Sequence, residues 1–263
     1  MNAIILSAGQ GTRLQPLTND RPKCLVNLFG KSLLERQIET LQYCGINDIS
    51  IVTGYMADKI VFSNLEYFEN TKYDSTNMVE TLFCAKEKLL ENTIITYGDI
   101  IWQESVLKQL IESQDDISVV VDKNWHRYWE FRFDDPLSDA ETLKLDEHNY
   151  ITDIGQKTNN IEEIQGQYIG LMKFQNNGIN ALKSFYDSSK QKSKLGMNPL
   201  NPKISFENSF MTDLIRGMIK NGNNVKSIPI HGGWLELDSI SDYEKYNLAY
   251  VNGNISEFFS LQG

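Results

Sequence analysis

The chain has 263 residues, is 41% hydrophobic and carries a formal net charge of −10. That length suits one large α/β domain, with enough buried surface to need neither disulfides nor a structural metal. The acidic balance argues against nucleic acid or an anionic membrane as a partner. Cys24, Cys44 and Cys84 lack CxxC spacing, so they read as reduced thiols of a cytoplasmic protein. The N-terminal apolar run is too short for a signal peptide, and no run approaches the roughly 20 apolar residues that span a bilayer.

The first element expected is a buried strand at Ala3 to Leu6. It breaks into Ser7-Ala8-Gly9-Gln10-Gly11-Thr12-Arg13, followed later by Arg21-Pro22-Lys23. Two closely spaced glycines let backbone N–H groups turn toward an anion, and Arg13 and Lys23 add cationic donors suited to phosphate. Two better-known phosphate motifs are absent. The dinucleotide fingerprint needs a glycine where Leu14 stands, and a P-loop needs a glycine five residues after Gly9 followed by Lys and Ser or Thr.

Helical spacing of Leu34, Gln37, Ile38, Leu41 and Tyr43 predicts a helix over 33–44, stopped at Gly45, and 49–53 reads as a strand. Strand, helix, strand in that order is a βαβ unit with parallel pairing. A further helix is expected over 76–90, a strand over 92–97 running into Gly98-Asp99, and an apolar strand over 117–121. Residues 1–122 therefore read as a doubly wound α/β core. Residues 123–145 mix aromatics with charge and 143–172 hold two strand-like runs, which predicts a β-rich region packed on that core. A surface loop over 185–205, a helix over 206–218, a strand at 225–230 and the run Trp234-Leu-Glu-Leu-Asp238 complete the expected order. The whole is one domain: 1–122 as a nucleotide-binding half, 123–245 as an acceptor-binding half, and 246–263 as a tail or helix.

Gly9-x-Gly11-x-Arg13 with Pro22-Lys23 resembles the N-terminal motif of the sugar-phosphate and phosphocholine nucleotidyltransferases. The likeness is strongest at 2–55 and 73–100, looser at 120–175, and clear again at 206–243. It implies a Rossmann-like α/β core with a mixed, mostly parallel sheet. It also implies nucleotide contacts from Leu6, Ser7, Ala8, Gly9, Gly11, Thr12 and Gly98, with Arg13 on the β- and γ-phosphates and Lys23 on the α-phosphate and the acceptor oxygen. Asp99 and Asp238 each follow an apolar strand, where a carboxylate serves equally as a Mg²⁺ ligand, a helix cap or a turn residue; the resemblance implies Mg²⁺.

The stretch Tyr73-Asp-Ser-Thr-Asn77-Met78 is similar to the base-binding segment of phosphocholine-type cytidylyltransferases. Asn77 serves either a pyrimidine edge or the cap of the following helix. Asp139-Ala-Glu-Thr-Leu-Lys144, Gln165-Gly-Gln-Tyr-Ile-Gly170 and Phe210-Met-Thr-Asp213 resemble most the branch that activates phosphoglutamine in capsular phosphoramidate pathways, beside those acting on phosphocholine and aminoethylphosphonate.

The aromatic run Trp125-His126-Arg127-Tyr128-Trp129-Glu130-Phe-Arg132 is either an ammonium-binding wall or a buried face. Arg127, Arg132 and Lys144 suit an acceptor that carries a carboxylate. Arg132, Glu141, Lys157, Gln167 and Tyr168 are the expected acceptor contacts, with Lys157 on the acceptor phosphate or free in a loop. The function expected is Mg²⁺-dependent transfer of CMP from CTP to a small phosphorylated amine or amino acid, L-glutamine phosphate foremost. A homo-oligomer is compatible with it. A hexose-1-phosphate nucleotidyltransferase and a non-catalytic nucleotide-binding module stand as alternatives. His126, His148 and His231 lie far apart, and the reaction needs none of them.

Overall fold

In the computed structural model, which describes residues 1–261, the strands are β1 Asn2–Ser7, β2 Asn27–Leu28, β3 Lys31–Ser32, β4 Ile49–Thr53, β5 Glu66–Glu69, β6 Asn92–Tyr97, β7 Ile100–Trp102, β8 Ile117–Asp122, β9 Glu141–Leu145, β10 Ile151–Lys157, β11 Gln167–Gln175, β12 Lys226–Ile230 and β13 Trp234–Glu236. The helices are α1 Leu33–Tyr43, α2 Met78–Cys84, α3 Glu104–Glu112, α4 Trp125–Arg132, α5 Asn177–Ser193, α6 Met211–Lys220 and α7 Ile240–Val251. A seven-stranded sheet in the order β12-β8-β11-β6-β1-β4-β5 forms the spine. Its neighbours are parallel except around β11, which runs antiparallel to both β6 and β8. β11 and β12 come from beyond residue 122, so the two halves of the chain share one sheet.

The strands are apolar because both faces are covered. Ala3, Ile5, Ile51 and Ile94 pack on one side with α1 and α3, while Ile4, Val52, Ile95 and Met172 pack on the other with α2, α5 and α6. Ser32 caps α1 by accepting from the Glu35 N–H, and the buried stripe Leu34, Gln37, Ile38, Leu41 lies against the sheet. Tyr43, expected on that stripe, is 73% exposed.

Other expectations need correction. The helix over 76–90 is only α2 plus a separate turn at Lys86–Lys88, because Asn77 sets its start and the chain tightens at Ala85. Residues 123–145 are not mainly β. Trp125, Tyr128, Trp129 and Arg132 recur at helical spacing and bury one face of α4, leaving β9 to pair with β10. α5 runs to Ser193, so the loop begins nine residues later than 185. The helix over 206–218 is a short turn at Phe206–Asn208 followed by α6. β7 and α3 were not anticipated, since Ile100-Ile101-Trp102 is too short a run to show a period. Residues 246–261 hold the rest of α7 and a turn at Ile255–Glu257; the last two residues of the expected tail lie outside the described ones. No described helix is long and apolar enough to cross a membrane.

Candidate active site at the carboxyl ends of the strands

β1 and β6 run side by side, with Leu6 opposite Tyr97, and end together. Ligands in open α/β sheets bind beyond the carboxyl ends of the strands. Here Ser7-Ala8-Gly9 leaves β1 while Gly98-Asp99 leaves β6, and the Gly98 N–H donates to the Leu6 carbonyl at 2.8 Å. A Cβ on Gly98 would overlap the Ser7 hydroxyl, which is why the two turns can lie so close. Gly11 has φ +66°, and a Cβ there would stand 2.9 Å from Lys23 Cβ. The glycine therefore allows both the left-handed turn and the passage of the lysine stem.

Leu6, Ser7, Ala8, Gly9, Asn77, Gly98 and Asp99 line one cleft with Lys23, whereas Gly11 and Thr12 do not line it. Asn77 meets its helix-cap reading and also faces the cleft. Its side-chain oxygen accepts from the Met78 N–H at 2.8 Å, capping α2, and the residue lines the cleft. Cys24 is in the same wall, and burial pushes its thiol up to about 12.

The charged centre lies at the edge of this cleft. Lys23 Nζ is 2.8 Å from Asp99 Oδ2 and 2.7 Å from Asp238 Oδ1. The exposed Arg13 places Nη1 2.7 Å from Asp238 Oδ2. The antiparallel ribbon of β7 and β13 brings the two aspartates together, and the Leu237 N–H donates to the Asp99 carbonyl at 2.9 Å. Burial alone would lower the Lys23 pKa, but the charges of Asp99, Asp238 and Glu236 raise it above the usual lysine range. Burial alone would raise Asp238, yet Lys23 and Arg13 hold it below the usual carboxylate range. Desolvation beside these carboxylates pushes the half-buried Glu236 up to about 7 against the opposing pull of Arg132.

A divalent cation fits this arrangement. The second oxygen of Asp99 is buried without a hydrogen-bond partner, and Asp99 and Asp238 converge on Lys23 Nζ. No group of three or more candidate ligands occurs among the described residues. The set of two carboxylates is what Mg²⁺ takes when phosphate oxygens and water complete its shell.

A second cleft opens on the far side of Arg13 and Asp238. Glu141, Lys157, Gln167 and Tyr168 line it, as do Trp129, Asp139, Phe210, Trp234 and Glu236. Met78 and Tyr97 border both clefts. Gln167 clamps the Glu141 backbone, donating to its carbonyl at 2.6 Å and accepting from its N–H at 3.2 Å. Tyr168 stands edge-on to Tyr97, with ring centroids 5.9 Å apart. Lys157 ends β10 and is not a loop residue; its Nζ donates to the Asp139 carbonyl at 2.9 Å. Burial raises the Glu141 pKa, with the Lys157 charge opposing.

Three sequence expectations for the acceptor side are overturned. Arg132 is 3% exposed and does not line the cleft: its Nε and Nη2 meet Asp242 at 2.9 and 3.2 Å, and Nη1 meets Glu236. Helical spacing put it on the buried aromatic face of α4, where two carboxylates consume its donors. Arg127 pairs with Glu257 on the surface, and Lys144 with Glu163. The aromatic run is mostly core, with Trp129 alone reaching the cleft. None of the three histidines lines either cleft. Glu236 was missed, although a signal existed. Trp234, Glu236 and Asp238 alternate along an extended segment, so one face presents all three.

A MobA-like NTP transferase domain matches residues 3–157. The CTP:phosphoglutamine cytidylyltransferase of Campylobacter jejuni is 41% identical over 255 residues, covering 93% of this chain and 98% of that protein. The choline-phosphate cytidylyltransferase of Streptococcus pneumoniae is 38% identical over 117 residues, 43% of this chain and 51% of that protein. Among solved structures, the CTP:phosphocholine cytidylyltransferase from Streptococcus pneumoniae superposes with a TM-score of 0.68 at 23% identity, over 95% of this chain and 98% of that one, a likeness of fold. With its paired clefts meeting at Lys23, Asp99 and Asp238, the chain belongs to the MobA-like nucleotidyltransferases, in their cytidylyltransferase branch.

Proposed function

We propose that the chain transfers CMP from CTP to a small phosphorylated amine or amino acid and releases pyrophosphate. The observation that carries this reading is the junction of the two clefts at one lysine and two carboxylates, with glycine-turned backbone on one side and a lining of both charge signs on the other. The relative that matches nearly the whole chain is named for phosphoglutamine, which makes L-glutamine phosphate the first acceptor to test. A zwitterionic acceptor suits the second cleft. Its lining carries Lys157 together with Asp139, Glu141 and Glu236, with Lys157 opposite Glu141 on the β9–β10 ribbon. Such a lining suits an uncharged hexose poorly.

The acceptor phosphate has its second pKa near about 6, so it is largely dianionic at neutral pH and needs no general base. One of its oxygens attacks the α-phosphorus of CTP in line. The new P–O bond forms as the bond from the α-phosphorus to the bridging oxygen breaks, and that oxygen leaves on pyrophosphate. Catalysis then rests on position and charge. Amides around Gly9 and Gly11 hold the triphosphate with Arg13. Lys23 moves from the two aspartates to the α-phosphate and the entering oxygen. Asp99 and Asp238 would hold Mg²⁺, which neutralises charge on the triphosphate. Asn77 sits where a base edge would meet it. Use of CTP suits a cytoplasmic enzyme, and the cytidine product is an activated group for surface polysaccharide modification.

The test is pyrophosphate release with Mg²⁺, each of four nucleoside triphosphates being paired with L-glutamine phosphate, phosphocholine, aminoethylphosphonate and glucose 1-phosphate. Turnover only with CTP and an amine or amino-acid phosphate is expected. Turnover with the hexose phosphate, or none with any pair, would overturn the reading.

A further inference from the structure

The aromatic and arginine residues of α4 form a bracket around residues 236–239. The Asp242 carboxylate is 2% exposed and accepts from the Asp238 N–H at 3.1 Å, the Ser239 N–H at 2.8 Å and the Ser239 hydroxyl at 3.0 Å. Arg132 holds the same carboxylate through two nitrogens, and its third reaches the Glu236 side chain. The guanidinium lies over the rings of Tyr128, Trp129 and Phe133 at 5.5, 5.5 and 4.9 Å. Two tyrosines fix the Glu236 backbone. The Tyr128 hydroxyl accepts its N–H at 2.9 Å, and the Tyr246 hydroxyl donates to its carbonyl at 2.7 Å.

A buried ion pair with this many satisfied donors contributes little net stability over an apolar replacement, but it permits few geometries. The neighbouring pair of Arg127 and Glu257 is exposed, with the Phe258 ring against its guanidinium. From this network we infer that Asp242, locked by Arg132, is a positioning residue that aims the Asp238 carboxylate at the metal. It acts through the backbone of 238 and touches neither nucleotide nor acceptor. The inference rests on the proposed role of Asp238 and adds a cause for its orientation. Catalytic geometry tolerates little looseness, since displacements of about 1 Å can cost about 10²-fold in rate.

The test uses Asp242→Asn, which keeps size while weakening the Arg132 lock, and Tyr246→Phe, which removes one hydroxyl and spares the ion pair. Mn²⁺ is titrated by electron paramagnetic resonance into the full-length protein with a CTP analogue bridged by methylene between the α- and β-phosphorus, so nothing turns over. D242N is expected to weaken Mn²⁺ binding at least about fivefold and Y246F about twofold, with the number of sites per folded molecule unchanged. A merely structural role would lower the number of sites, or the melting temperature, at unaltered affinity per site. Wild-type affinity in folded D242N overturns the inference; if D242N does not fold, Arg132→Lys, which keeps the charge and breaks the two-nitrogen grip on Asp242, decides it by the same titration. Wild-type protein that binds no Mn²⁺ with the analogue overturns the metal role of Asp238, and this inference with it.

Discussion

Lys23 is held by two carboxylates at once, 2.8 and 2.7 Å away, and carries its charge well beyond the neutral range. Replacing it with alanine removes the main donor proposed for the α-phosphate, and removal of such a donor costs about 10²–10³ in kcat. Lys23→Ala is expected to lose at least about 10²-fold in steady-state pyrophosphate release; near-normal turnover would remove Lys23 from the mechanism. Glu141 offers a check on the acceptor side. Its folded-state pKa lies above its ordinary value, so its contribution to stability is full at low pH and fades as pH rises through the raised value. Glu141→Gln should therefore melt higher than wild type near about pH 8, with the difference closing near about pH 4. In turnover it should raise the acceptor KM and leave the CTP KM alone. Asp99 and Asp238 were singled out because each follows an apolar strand, and Lys23 because it follows Pro22 after the glycine loop; the structure brings the three side chains together. Arg132 was misread because residue type alone does not tell a solvated arginine from one whose donors are all spent inside the fold.

At the scale of elements, α6 fixes the acceptor wall by packing on β10. Gly155, at φ +81°, lies against Thr212, and a Cβ there would stand 2.5 Å from Thr212 Cβ. Gly155→Ala combines backbone strain with overpacking, which costs about 1–3 kcal/mol. It should lower the melting temperature and weaken acceptor binding, while CTP affinity stays within about twofold. A loss of CTP affinity equal to that of the acceptor would show that the two clefts are not separately built. The βαβ start and β6 and β8 could be read from unbroken apolar runs. α4 and β7 could not. In α4, four aromatics among charges obscured the helical period, and β7 is defined by its partner β13, which comes late in the chain.

The molecule as a whole is acidic, yet Arg13 and Lys23 meet where a polyanion is proposed to sit. A ligand that binds only the folded state stabilises it by about 2.7 kcal/mol at 100 times its Kd. Mg²⁺ with CTP at that level is expected to raise the melting temperature by several degrees in a thermal scan. Asp238→Asn should lose most of the increment that Mg²⁺ adds to CTP; an unchanged increment would argue that Asp238 holds no metal. The sheet class was legible throughout. The way residues beyond 122 enter the same sheet was not, because antiparallel insertion of β11 leaves no local mark.

Lys23 meets Asp99 across 76 residues and Asp238 across 215. The β7–β13 ribbon, which carries the second of these contacts, joins an early and a late piece of the site. The glycine turns and the β1, β4 and β6 strands can assemble from the first hundred residues, whereas contacts of such long sequence separation form slowly. A growing chain would form the glycine-turned side of the nucleotide cleft long before it completes the carboxylate pair. Competence for phosphoryl chemistry would then arrive in a single late step, with the docking of β13.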